Sequence, residues 1–173
     1  LVPFAAGAVL RWQADGPQIS LVPMFATWVL GYFAFHAASG LLKSAPARRG
    51  RWVPALALYG VTTLLAGLTT LWLAGPNLAW WLAVFALPLG VALWLASRRK
   101  ERHVAGGLLT TFVAAAMMLV ARFPDPLTML HDPAFVPTAQ LAAIMFGYFG
   151  GTVLHVKAMI RERRQLGWRN ASI

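Results

Sequence analysis

Residues 18–51 read QISLVPMFATWVLGYFAFHAASGLLKSAPARRGR, and this stretch decides the fold class. From Gln18 to Leu42 there is no Asp, Glu, Lys or Arg, and His36 is the one side chain of a type that titrates near neutral pH. Lys43, Arg48, Arg49 and Arg51 then follow in quick succession. A helix needs roughly 20 apolar residues to cross about 30 Å of hydrocarbon. An apolar run of that length ending in a cationic loop is the pattern of a membrane span that delivers its loop to the cytoplasm.

The same pattern recurs outward from this stretch. Four more runs, 52–74, 78–96, 104–121 and 138–160, have the length and apolarity of a span. Pro17 is expected to begin the 18–42 span, Gly75-Pro76-Asn77 to make a tight re-entry, and Pro133 and Pro137 to precede the last helix. The opening LVPFAAGAVL offers only ten apolar residues before Arg11, which reads as the end of a sixth helix whose beginning is missing. Composition agrees: 59% of the 173 residues are hydrophobic and 12% are charged, too little polar surface for a soluble domain of this size. The expected architecture is an all-α, polytopic transmembrane helical bundle with about five complete spans plus the end of a sixth. Residues 1–173 form one such domain, incomplete at both ends.

Charge orders the loops. The formal net charge of +10 would suit a nucleic-acid binder, but the cations fall in clusters between apolar runs instead of along an amphipathic face. Of fifteen Lys and Arg, all but Arg11 and Arg122 lie after the 18–42 span, after the 78–96 span, or in the closing segment. This alternation predicts that both ends of the chain face the cytoplasm, and it argues against a nucleic-acid partner. Trp52, Trp80, Trp81, Trp94 and Trp168 fall near predicted interfaces, where an indole keeps its N–H wet and its rings in the acyl boundary. There is no cysteine, so disulfides and thiolate metal sites are excluded. Arginine's excess over lysine and the abundant alanine fit a high-GC bacterial source, hence a bacterial plasma membrane.

Three segments carry a family likeness. LVPFAAG at the start, LGYFAFHAASGLLKSAPARR at 30–49 and above all GTVLHVKAMIRERRQLGWRNAS at 151–172 resemble the YwiC-like family of small bacterial membrane proteins, which have no assigned activity. Family members begin with a Pro-x-Gln-His-Gly-Ala-Trp element and continue beyond the VKAMIRER region, so the resemblance implies a fragment lacking both family ends. A more distant analogy is to the UbiA-type prenyltransferases, built from two four-helix repeats. WVLGYFAFH at 28–36 echoes MFGYFGGTVLH at 145–155 at a four-helix offset, as such repeats would. Those enzymes hold Mg²⁺ and a prenyl pyrophosphate on Asp-rich cytoplasmic loops, because a diphosphate leaving group needs divalent neutralisation. Here the basic loops contain no Asp, and their acids, Glu101 and Glu162, stand among arginines.

Candidate sites are sparse. His36 and His155 lie inside predicted spans at similar depth and are the candidates for cofactor binding, as a haem-ligating pair; the alternatives are that each imidazole hydrogen-bonds a neighbouring helix or turns its end to the headgroups. Asp125, His131 and Asp132 share the longest external loop but have no diagnostic metal spacing, and Asp-Pro is ordinary turn chemistry. Gly147 and Gly151, as Gly-x-x-x-Gly, mark a surface for close helix packing. Lys43, Arg48, Arg49, Arg51, Arg98, Arg99, Lys100, Lys157, Arg161, Arg163 and Arg164 are the expected contacts to anionic lipid headgroups or to a membrane-protein partner. The sequence assigns no cofactor, metal site or catalytic residue, and three functions stay open: an accessory subunit of a larger membrane complex, a UbiA-like lipid-substrate enzyme, and a small transporter.

Overall fold

The computed structural model describes residues 1–98 and 104–162. All regular structure among them is helical: α1 (Val2–Asp15), α2 (Leu21–Lys43), α3 (Val53–Ala74), α4 (Trp81–Ser97), α5 (Val104–Arg122), the single-turn α6 (Pro126–Met129) and α7 (Phe135–Glu162). Short 3-10 helices at Pro46–Arg51 and Pro76–Trp80 lead into α3 and α4. Prolines stand in the first turns of α1 and α3, where the missing N–H has no intrahelical partner to lose. Gly75 ends α3 with φ 98°, a left-handed turn that favours glycine, and Pro76 restarts the chain at once. The first full span begins at Leu21, not at Pro17, which stays in the turn after α1.

The four helical segments Leu21–Lys43, Val53–Ala74, Pro76–Ser97 and Phe135–Val156 are each long and apolar enough to cross a membrane. Their sides carry the apolar surface that lipid requires. On α3, Leu58, Val61, Leu64, Leu65, Leu68 and Trp72 are all exposed, a stripe no soluble monomer would leave in water. Threonines on these surfaces hide their hydroxyls: Thr62 and Thr69 donate to the carbonyls of Leu58 and Leu65 one turn back, at 2.8 and 3.0 Å. Neither of these two hydroxyl hydrogens is then left facing hydrocarbon.

Packing makes α5 the hub, set against α1, α4 and α7, while α2 joins α3 in an antiparallel hairpin and touches α4. The core gathers Phe4 of α1, Met24 of α2, Trp81 of α4 and Met117, Val120 and Ala121 of α5. Two glycines set close approaches. A Cβ on Gly7 would collide with the backbone carbonyl of Met118, so α1 can lie against α5 only because that position is glycine. A Cβ on Gly40 would stand 2.6 Å from the ring of Trp52, which fills the notch instead. Thr27 Oγ1 and the buried Thr70 Oγ1, 3.2 Å apart, add a hydrogen bond across the α2–α3 seam.

The two ends of the bundle differ. One end holds the 43–51 corner and Arg98; the other holds all three aspartates of the chain, Asp15, Asp125 and Asp132. Helix α1 does not stop at Arg11, as the length of its apolar run suggested, but continues to Asp15. The charged turn is accommodated because Arg11 and Asp15 are one turn apart and the Arg11 side chain is buried.

Candidate functional site

At the basic end, the chain leaves α2 at Lys43 and enters α3 at Val53 through the arginine-bearing 3-10 turn. Ser44 organises this corner. Its hydroxyl donates to the Gly40 carbonyl at 2.8 Å and accepts the Trp52 indole N–H at 3.0 Å, while Arg49 Nε donates to the Ser44 carbonyl at 3.3 Å. The Trp52 ring is thus held flat against Gly40, with His36 meeting it edge-on at 6.0 Å between centroids. Beside the ring opens a cavity of about 600 Å³ lined by Lys43, Ser44, Arg48, Arg51, Trp52 and Ala55. Arg48 and Arg51 are exposed on its rim and Lys43 is half-buried. The geometry brings together three of the four cations of the 43–51 run; Arg49 is turned back to the backbone.

The remaining predicted basic contacts are more dispersed. Arg98 is exposed, with its guanidinium over the Trp94 ring at 5.9 Å, an interfacial cation–π pair. Lys157 and Arg161 lie on the last turns of α7. Arg99, Lys100, Arg163 and Arg164 lie outside the described residues.

The aspartate end contains what sequence reasoning missed. Arg11 and Arg122, the two arginines that escaped the charge pattern, are buried, at 7% and 9% exposure. They converge on one carboxylate: Asp15 Oδ2 lies 3.2 Å from Arg122 Nη1 and 4.0 Å from Arg11 Nε. Arg122 also reaches Asp132 at 3.9 Å and lies over the Phe123 ring at 4.9 Å. Arg11 Nη2 donates to Gln18 at 3.4 Å, whereas its Nε and Nη1 are buried with no hydrogen-bond acceptor. Only the Arg11–Asp15 spacing of one helical turn was a local signal. The Arg122–Asp15 pair spans 107 positions and has none.

Asp125 and Asp132 serve the backbone here. Asp125 caps α6 by accepting from Leu127 N at 2.9 Å and takes the Asn77 amide at 2.7 Å; Asp132 accepts from Ala134 N at 2.8 Å. Among the described residues no three His, Asp or Glu side chains gather as a metal-binding group, so Asp125, His131 and Asp132 do not converge. Trp81 is no interfacial belt residue. It is 5% exposed, and its indole donates to the Phe123 carbonyl at 2.9 Å, which ties the start of α4 to the end of α5.

His36 and His155 are both exposed, and among the described residues α2 and α7 share no extensive interface; His36 meets Trp52, the residue before α3. Of the three glycines at 147, 150 and 151, it is Gly150 that faces α5, where an added Cβ would stand in ordinary contact with Leu108 at 3.4 Å. Gly147 and Gly151 face open space.

No curated protein and no solved structure matches the chain. The family profile described as YwiC-like protein matches residues 1–122, which takes in α1 through α5 and the basic corner. The 151–172 segment, which carried the most specific part of the sequence likeness, lies beyond the matched residues. With its apolar helices and most of its length under that profile, the chain is a multi-pass membrane protein that belongs to the YwiC-like family.

Proposed function

We propose that this protein sits in the bacterial plasma membrane with its basic end at the cytoplasmic face, where it contacts anionic lipid headgroups. In this reading α2, α3, α4, α5 and α7 all span, with α1 packed against α5. The observation that carries it is the division of charge between the ends: the 43–51 corner and Arg98 at one, every aspartate at the other. A cation near an anionic bilayer surface contributes on the order of 1 kcal/mol, so several at one end suffice to orient and seat a bundle. In nanodiscs, the full-length protein should be more stable to heat in phosphatidylglycerol than in phosphatidylcholine, and the difference should shrink as salt is raised. Equal stability in the two lipids at low salt sinks the proposal.

The exposed Gly147 and Gly151 face of α7 supports a second reading, that the protein is an accessory subunit whose partner helix packs there. A partner that copurifies in mild detergent and is lost on Gly147→Leu substitution is the result this reading requires.

A further inference from the structure

We propose that the cavity at the α2–α3 corner is a discrete site for the phosphate of one anionic phospholipid, which deepens and rests on the lipid-contact reading above. The cavity, about 600 Å³, is in the size range of small-molecule sites and far larger than a bare phosphate needs. A glycerophosphate headgroup fits that volume. Its chemistry is divided as a lipid headgroup is divided: Arg48 and Arg51 supply cations at the open rim, and the Trp52 ring and Ala55 supply an apolar wall on the side from which α3 descends. Guanidinium recognises phosphate oxygens with paired N–H donors, and an indole belongs at the boundary of headgroup and acyl chain.

The floor is built, and that separates this cavity from a chance gap between flexible arginines. Trp52 cannot swing, because Gly40 receives its ring, Ser44 takes its N–H, and Ser44 is itself anchored to the Gly40 carbonyl. Arg49 is engaged with the same segment, at the Ser44 carbonyl, so it braces the turn and leaves the ligand to its neighbours. The phosphate chemistry alone would also suit a soluble phosphomonoester. The lipid is favoured because the apolar wall continues directly into α3, whose Leu58 and Val61 are exposed where acyl chains would run.

Native mass spectrometry of the detergent-purified, full-length protein with added phosphatidylglycerol tests this. One tightly held lipid per chain is expected, with affinity reduced about fivefold by Arg48→Gln or Arg51→Gln, the effect of one cation against an anionic headgroup. Arg98→Gln, on the same face, should leave it unchanged. Gly40→Ala and Ser44→Ala, which alter no charge, should each weaken it by displacing or freeing Trp52. If Arg98→Gln matches Arg48→Gln while Gly40→Ala has no effect, lipid is held diffusely; the pocket assignment then fails and the lipid-contact reading survives. No preference for phosphatidylglycerol over phosphatidylcholine in any form defeats both. Displacement of the lipid by millimolar glycerol phosphate, with the same arginine dependence, overturns the lipid assignment in favour of a soluble phosphate compound.

Discussion

A buried guanidinium is costly unless a carboxylate and further acceptors replace its water, and the aspartate end holds two of them around a half-exposed Asp15. The order of substitution costs follows from what each change leaves behind. Asp15→Asn leaves Arg11 and Arg122 buried near each other without their shared anion, and should destabilise by about 1–3 kcal/mol, below the figure for a fully buried pair because Asp15 is partly solvated. Arg122→Met removes a buried charge, keeps the Arg11–Asp15 pair and fills similar volume, so it should cost less. Thermal unfolding in one detergent gives the order, and a lower midpoint for Arg122→Met than for Asp15→Asn would show that the network is not held this way. Little of this was legible beforehand. Arg11 and Arg122 stood out in the sequence only as exceptions to the charge pattern, since a contact spanning 107 positions leaves no periodicity to read.

Among helices, the seams depend on where a backbone can approach, and glycines divide accordingly. Gly7→Ala drives a methyl into the Met118 carbonyl, a rigid backbone atom, and should cost about 1–3 kcal/mol as α1 is pushed from α5. Gly90→Ala, with open space at its Cβ, should be neutral or stabilise by about 0.5–1 kcal/mol through helix propensity. Melting midpoints that move together for the two variants would contradict the α1–α5 seam. Gly147→Ala should follow Gly90→Ala wherever its face meets lipid alone, and a loss confined to Gly147→Ala would reveal a partner helix. The positions of the long helices were readable because twenty apolar residues have few alternatives in a membrane protein. The seams were not: the Gly-x-x-x-Gly pair Gly147 and Gly151 meets open space while Gly150, outside that pattern, faces α5, and nothing in the spelling of the three tells which side a neighbour takes.

For the molecule as a whole, the proposed orientation yields a labelling experiment that the absence of cysteine makes clean. Ala47→Cys, exposed in the basic corner, should be protected from an impermeant thiol reagent in intact cells, whereas Leu130→Cys, 67% exposed at the aspartate end, should react. The reverse pattern would invert the topology. What the sequence by itself determined is the class of molecule: long apolar runs, loops sorted by charge, and a corner where cations follow a span, all properties of composition and order along one chain. Only the tertiary structure decided which cations share a cavity, that Trp52 and Ser44 form its floor, that Trp81 is core instead of belt, and that Arg11 and Arg122 meet at Asp15. Hydropathy and charge act on each helix separately and against the bilayer, so they are written locally. The choice of neighbour depends on side-chain shape and hydrogen-bond geometry between helices distant in sequence, and these exist only once the helices have packed.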